Sequence, residues 1–224
     1  MKSLTDGLWT LIARFSNNDT KNWMEDNGTL WYDRVEAYGN TLDPSDNADM
    51  ISEAFWLQEG SEFKITKSDD ATHTTLLTTT GNCLNGTTFR AKMKSYGEFR
   101  GEKIWASDKC LGSCSVSYGG DYTKVEGFDQ SQCDGTFQTK DKIGFWCDYS
   151  SGADHTKTGG SVIMIGGGGP SCSHTGHGIG ITGTDYARFA PKNGGNRPEY
   201  DFGNHPFNGV PTNLYSLNLW VNAS

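Results

Sequence analysis

Between Ile143 and Gly183 the chain reads IGFWCDYSSGADHTKTGGSVIMIGGGGPSCSHTGHGIGITG, and 12 of its 29 glycines fall there. Glycine inside a helix costs about 1 kcal/mol relative to alanine, so this stretch is no ordinary helix. It reads as two short apolar strands, Ile143–Trp146 and Val162–Ile165, set among tight loops. The same stretch holds three of the five histidines (His155, His174, His177) and two of the six cysteines (Cys147, Cys172), and its only formal charges are Asp148, Asp154 and Lys157. Loops that combine Asp, His and Ser side chains with open backbone N–H and C=O groups suit a hard cation and a polyhydroxylated ligand. The plain alternative is a glycine-rich connector that merely packs closely.

The remaining composition narrows the function classes. At 224 residues the chain has length for one large domain or two small ones. Hydrophobic content is low at 34%, but aromatics reach 12% with seven Trp, so the core is expected to be aromatic. Net charge is −8 and no basic run exceeds two residues, which argues against a nucleic-acid partner. No stretch approaches the ~20 apolar residues of a membrane span. Six cysteines with no matching CxxC pairs disfavour structural zinc. With four N-x-[ST] sequons, at Asn18, Asn27, Asn85 and Asn222, they lean toward an extracellular protein. The opening MKSLTDGLWTL has no apolar run fit for a signal-peptide core. The expectation is a domain of a longer secreted precursor, or a mature protein with an initiator Met.

Strands are expected at Leu8–Phe15 and Tyr215–Val221, the latter with Tyr215, Leu217, Leu219 and Val221 on one face. Residues 33–50 read as loop, with Asp43, Pro44, Asp46, Asn47 and Asp49. Asp49–Phe55 has the makings of a short helix start. Phe55-Trp56-Leu57 and Glu62–Thr66 read as a strand pair around Glu59-Gly60. Thr72–Thr80 is a Thr-rich strand or edge, and Thr88–Tyr96 fits a half-exposed strand or a helix. Residues 97–142 read as irregular. Thr184–Ala190 has room for one or two helical turns, and Lys192–Arg197 is a loop. The whole is expected to be one α+β domain, 1–224, of short strands, few short helices and long disulfide-pinned loops.

Several segments together resemble the fibrinogen-related C-terminal domain and its relatives the intelectins (X-type lectins). Gly7-Leu8-Trp9-Thr10-Leu11-Ile12-Ala13-Arg14 is similar to the "GGWTV.qrR" opening of those domains. Phe55-Trp56-Leu57 stands near their "FWLG", followed by Phe89-Arg90-Ala91-Lys92. Ile165-Gly166-Gly167-Gly168-Gly169 repeats the intelectin "IGGGG", and Ser171-Cys172-Ser173-His174 resembles the "SCH" at a fibrinogen-like ligand pocket. Tyr200-Asp201-Phe202-Gly203-Asn204 is similar to the intelectin "YDFGD", at a different place in the order, and the acidic "DxDND" run is absent. The resemblance implies a fibrinogen-like fold, bound Ca2+ and binding of glycans or glycoproteins. It also implies a Cys147–Cys172 disulfide, whose closure would offset part of the loop's ordering entropy. Cys83, Cys110, Cys114 and Cys133 would then form two more bonds.

Asp148 and Asp154 flank a loop able to fold both onto one calcium ion; Asp201 with Asn204 is a second candidate pair. His174 and His177, three apart, suit zinc or copper, a sugar hydroxyl, or a plain backbone hydrogen bond. His155 joins them as a ligand candidate, with Trp146, Tyr149 and Tyr186 as the aromatic wall a sugar needs. No Gly-x-Ser-x-Gly and no phosphate-cradling loop occurs, so the chain reads as a non-enzyme. Two functions remain: a secreted calcium-dependent carbohydrate-binding domain, or an extracellular adhesion module of the same fold that binds protein. Association into a homo-oligomer is left open.

Overall fold

The computed structural model describes residues 5–6, 8–16, 30–31, 34–94, 109–119, 141–147, 161–165, 179–182 and 216–223. Among these, antiparallel strands dominate. They are β1 (Thr5–Asp6), β2 (Trp9–Ser16), β3 (Met50–Ile51), β4 (Glu59–Gly60), β5 (Phe63–Lys67), β6 (Thr75–Thr80), β7 (Thr87–Thr88), β8 (Lys109–Tyr118), β9 (Lys142–Cys147), β10 (Ser161–Ile165), β11 (Ile179–Thr182) and β12 (Ser216–Asn222). Two short helices, α1 (Ala54–Leu57) and α2 (Phe89–Lys94), accompany them, and Leu30 and Trp31 are also helical.

One sheet runs β1-β2-β12-β5-β6-β8-β9-β10-β11, with β3 also paired to β2. The sheet curls enough to bring β11 back to within 8 Å of β2, Cα to Cα. A single apolar cluster accordingly joins Ile12 and Phe15 of β2, Leu217, Leu219 and Val221 of β12, Phe63 and Ile65 of β5, Ile143 of β9 and Ile165 of β10. Both helices add rings to this inner face. Phe89 of α2 lies 5.7 Å from Phe55 of α1 and 5.6 Å from Phe63. The aromatic core expected from composition is therefore present.

The strands read at Leu8–Phe15 and Tyr215–Val221 are β2 and β12, within a residue at each end. Leu217, Leu219 and Val221 do share the core face, while Tyr215 lies outside the described residues. The opposite face of β12 is buried as well, because the segment 40–50 lies across it: Asn218 donates from Nδ2 to Pro44 O at 2.8 Å. The strands read at Ile143–Trp146 and Val162–Ile165 are β9 and β10.

Other local expectations are corrected. Phe55-Trp56-Leu57 is not a strand but α1, entered through Ser52, whose Oγ accepts from Ala54 N at 3.2 Å. A short apolar triplet has no period of its own, and here tertiary packing of Phe55 on Phe89 decides it. Glu59-Gly60 is not a turn but β4, paired with β7. The helix start read at Asp49–Phe55 is delayed, since Met50–Ile51 first pairs with β2. Thr88–Tyr96 resolves toward helix: Thr88 Oγ1 accepts from Ala91 N at 3.0 Å, an N-cap bond to the third helical residue. Within the supposedly irregular 97–142 lies β8, where the buried Cys114 and Val116 alternate with the exposed Ser115 and Ser117. β11 also went unread, although Ile179 and Ile181 alternate with glycine. Thr184–Ala190 and Lys192–Arg197 lie outside the described residues.

Cys83 and Cys114 form a disulfide, one of the pairings open to the four cysteines outside the glycine-rich stretch. It ties the 81–86 turn region to the middle strand β8.

Candidate functional site

The segment most like a cation loop among the described residues is Asn40–Asp49, with its Asp43, Asp46, Asn47 and Asp49. The fold uses it otherwise. Arg14 leaves β2 toward this segment and is fully buried. Its Nε donates to Ala48 O at 2.6 Å, Nη1 to Asp43 O at 2.9 Å and Nη2 to Asn40 O at 3.1 Å, with the Asp46 carboxylate 3.9 Å away. A guanidinium thus occupies the centre where the carbonyls converge. The carboxylates serve the loop's own backbone: Asp43 accepts from Ser45 N at 2.9 Å and Asp46 from Ala48 N at 3.2 Å. Asp49 Oδ1 accepts from Ser16 N at 2.8 Å. A chain of hydroxyls continues the layer, Ser216 Oγ to Ser16 Oγ at 2.6 Å and Ser16 Oγ to Asn47 O at 2.7 Å. Among the described residues no group of three or more His, Cys, Asp and Glu side chains is placed to hold a metal ion.

Beside this layer, the Lys64 ammonium sits 4.9 Å from the Trp9 ring centre and 5.3 Å from that of Trp220. Trp220 Nε1 donates to Thr66 Oγ1 at 3.0 Å. The β5–β6 hairpin bends around Asp70, whose carboxylate accepts from Thr72 Oγ1 at 2.7 Å, Thr72 N at 2.9 Å and Thr74 N at 2.8 Å. Hydrogen bonds from Thr72, and then Thr74, hold this carboxyl well below the usual carboxylate range.

Two of the residues singled out in the sequence fall on the other half of the sheet. They are Trp146 and Cys147, in the backbone of β9. Asp148, Tyr149, Asp154, His155, Cys172, His174, His177, Tyr186, Asp201 and Asn204 lie outside the described residues. The strands bounding their segments are described, and their directions locate where each segment begins and ends. β9 pairs with β8 with Lys109 opposite Cys147, and β11 pairs with β10 with Thr182 opposite Ser161. Met164 stands opposite Trp146 in the β10–β9 pair. Lys109, Cys147, Ser161 and Thr182 are therefore at one end of four adjacent strands, a row about 14 Å across at ~4.8 Å per strand. Segment 148–160, with Asp148, Asp154 and His155, starts and finishes in that row. Segment 183–215, with Tyr186, Asp201 and Asn204, starts there. Segment 166–178, with His174 and His177, starts from Ile165 and finishes at Ile179, which pair with each other at the opposite end.

Segments 148–160 and 183–215 thus start from one sheet end, and segment 166–178 starts from the other. Period and composition could not show this, because the distinction lies in which way β10 runs. Arg14 as the organiser of its loop was also missed; the signal was a lone Arg closing an apolar strand run. Neither a scan against protein-family models nor a search of curated proteins finds a match to the chain.

Proposed function

We propose that the chain is a secreted, calcium-dependent carbohydrate-recognition domain of fibrinogen-related, intelectin-like type, acting by binding without catalysis. The observation that carries this reading is the shared launch point of segments 148–160 and 183–215 beside Cys147, Ser161 and Thr182. A paired sheet end is a rigid mount for loops that bind. Asp148, Asp154, Asp201 and Asn204 are proposed to supply oxygen ligands to Ca2+, and glycine-rich backbone adds carbonyls. Trp146, Tyr149, Tyr186 and His155 are proposed as sugar contacts near that end, and His174 and His177 as contacts brought in by the opposite loop. The oxidised Cys83–Cys114 pair is in keeping with an extracellular setting.

The test is thermal unfolding in calcium and in EGTA, combined with glycan-array binding. A ligand that binds only the folded state stabilises it by about 2.7 kcal/mol at 100 times its Kd. Asp154→Asn should shrink the calcium-dependent rise in Tm, while His177→Ala should leave it and weaken glycan binding. Melting curves that coincide in the two buffers, with no ion retained on metal analysis, would overturn the calcium part.

A second reading, an adhesion module that binds protein, draws on the exposed apolar side chains Val35, Tyr38 and Leu42 of one surface segment. Pull-down of a protein ligand that survives both EGTA and enzymatic removal of its glycans would favour it.

A further inference from the structure

Of the four sequons, the described residues hold all of Asn85-Gly86-Thr87 and the acceptor Asn222 of another, and the fold treats the two asparagines in opposite ways. Asn85-Gly86-Thr87 occupies a reverse turn. Asn85 has φ 54° and Gly86 φ 71°, and Thr87 N donates to Leu84 O at 3.1 Å, the dihedral signs of a type I′ turn. All three residues of the sequon are exposed. A Cβ added at Gly86 would meet nothing within 4 Å, so the space around the turn is open. Among the described residues the Asn85 side chain has one bond, a long one of 3.4 Å from Asn82 Nδ2 to its Oδ1.

Asn222-Ala223-Ser224 is the contrary case. Asn222 ends β12 and its amide staples the start of β5. Oδ1 accepts from Ser61 N at 3.0 Å, Ser61 Oγ at 3.2 Å and Glu62 N at 2.7 Å, while Nδ2 donates to Ser61 Oγ at 3.0 Å. The surroundings are close-packed: a Cβ at Gly60 would lie 2.2 Å from Asn222 O and 3.3 Å from its Oδ1.

We propose that Asn85 is an N-glycan acceptor of this chain and that Asn222, in spite of its sequon, is not. The inference rests on the extracellular part of the proposed function. In the transfer, Nδ2 of Asn85 bonds to the anomeric carbon of an oligosaccharide carried on a polyprenyl diphosphate. The carbon–oxygen bond to phosphate breaks, its electron pair leaves on the diphosphate, and Nδ2 gives up one proton. The Thr87 hydroxyl donates to Leu84 O at 2.7 Å in the finished turn. Transfer therefore precedes closure of the turn, and what the fold decides is whether the product fits. At Asn85 the added sugar projects into solvent and the turn closes beneath it. At Asn222 it has to displace the staple between β12 and β5.

The test is to direct the full chain into the secretory pathway of cultured eukaryotic cells. The secreted protein is then deglycosylated by peptide amidase in heavy-oxygen water, and each sequon is read by peptide mass mapping. Conversion of Asn85 to labelled Asp, with Asn222 unlabelled, is expected. An unoccupied Asn85, or an occupied Asn222, in the secreted protein would overturn the proposal. Asn85→Asp keeps a residue tolerant of positive φ and removes the acceptor; it should abolish one glycan step on a gel with Tm unchanged. Because the experiment imposes entry to the pathway, a negative result counts against the site. The extracellular reading fails separately, if fractionation finds the native protein in the cytosol.

Discussion

Arg14 shows how much one residue organises here. Its three carbonyl acceptors lie 26 to 34 residues away in sequence, so the side chain folds the 40–48 segment onto β2. Removing it leaves part-buried carbonyls and the nearby Asp46 without their cation. Arg14→Met is expected to destabilise by about 1–3 kcal/mol, read as a lower urea midpoint at an unchanged slope. Arg14→Lys should recover only part, because a single ammonium cannot span three diverging acceptors. Asp70 supports a pH prediction. Its carboxyl is held low in the folded state by bonds from Thr72 and Thr74, so the stability it adds is present above the unfolded carboxylate value of about 3.9. That stability is lost as pH falls through this value toward the lower folded one. Asp70→Asn should thus be less stable than wild type at pH 7, and the gap should close on acidification. A gap constant from pH 7 to pH 2 would count against this account.

At the scale of elements, the Cys83–Cys114 bond joins the 81–86 turn region to β8, across 31 residues of sequence. Closing a loop of that length restricts the unfolded chain by about 3.5 kcal/mol in the chain-entropy picture. The Cys83→Ala, Cys114→Ala double variant should lose stability of that order in chemical denaturation. It should keep its strand content by circular dichroism, since Leu77, Val116 and Ile143 pack the same core without it. The disulfide expected at Cys147–Cys172 falls partly outside the described residues. β8 and α1 show why element reading failed where it did. The second half of β8 has a two-residue alternation hidden by its serines, whereas α1 is too short for any period and is decided by Phe89.

For the whole molecule, the antiparallel run β8-β9-β10-β11 sorts the glycine-rich connections onto two ends. A cation bound by carboxylates of segments 148–160 and 183–215 should damp motion at one end preferentially. Added calcium is expected to slow amide exchange at Cys147, Ser161 and Thr182 more than at Lys142, Ile165 and Ile179. Equal slowing at both ends, or slowing only near Ile165 and Ile179, would move the cation away from the carboxylate end.

Short-range rules were enough for much of this chain. Steric cost and two-residue periodicity excluded a helix from the glycine-rich stretch and marked β2, β9, β10 and β12 within a residue or two. The residue types for binding chemistry were legible too, because carboxylate, imidazole and indole keep their character wherever they stand. Tertiary structure decided what depends on distant partners. β2 pairs with β12, and Ser216 meets Ser16 across 200 residues, because burying both apolar faces in one curled sheet outweighs any local preference. The acidic 40–49 segment became the cage of Arg14 for the same reason: a buried guanidinium needs every carbonyl within reach. The direction of β10 alone set the start of segment 148–160 at one sheet end and that of segment 166–178 at the other, and no pattern along the chain encodes a direction in space.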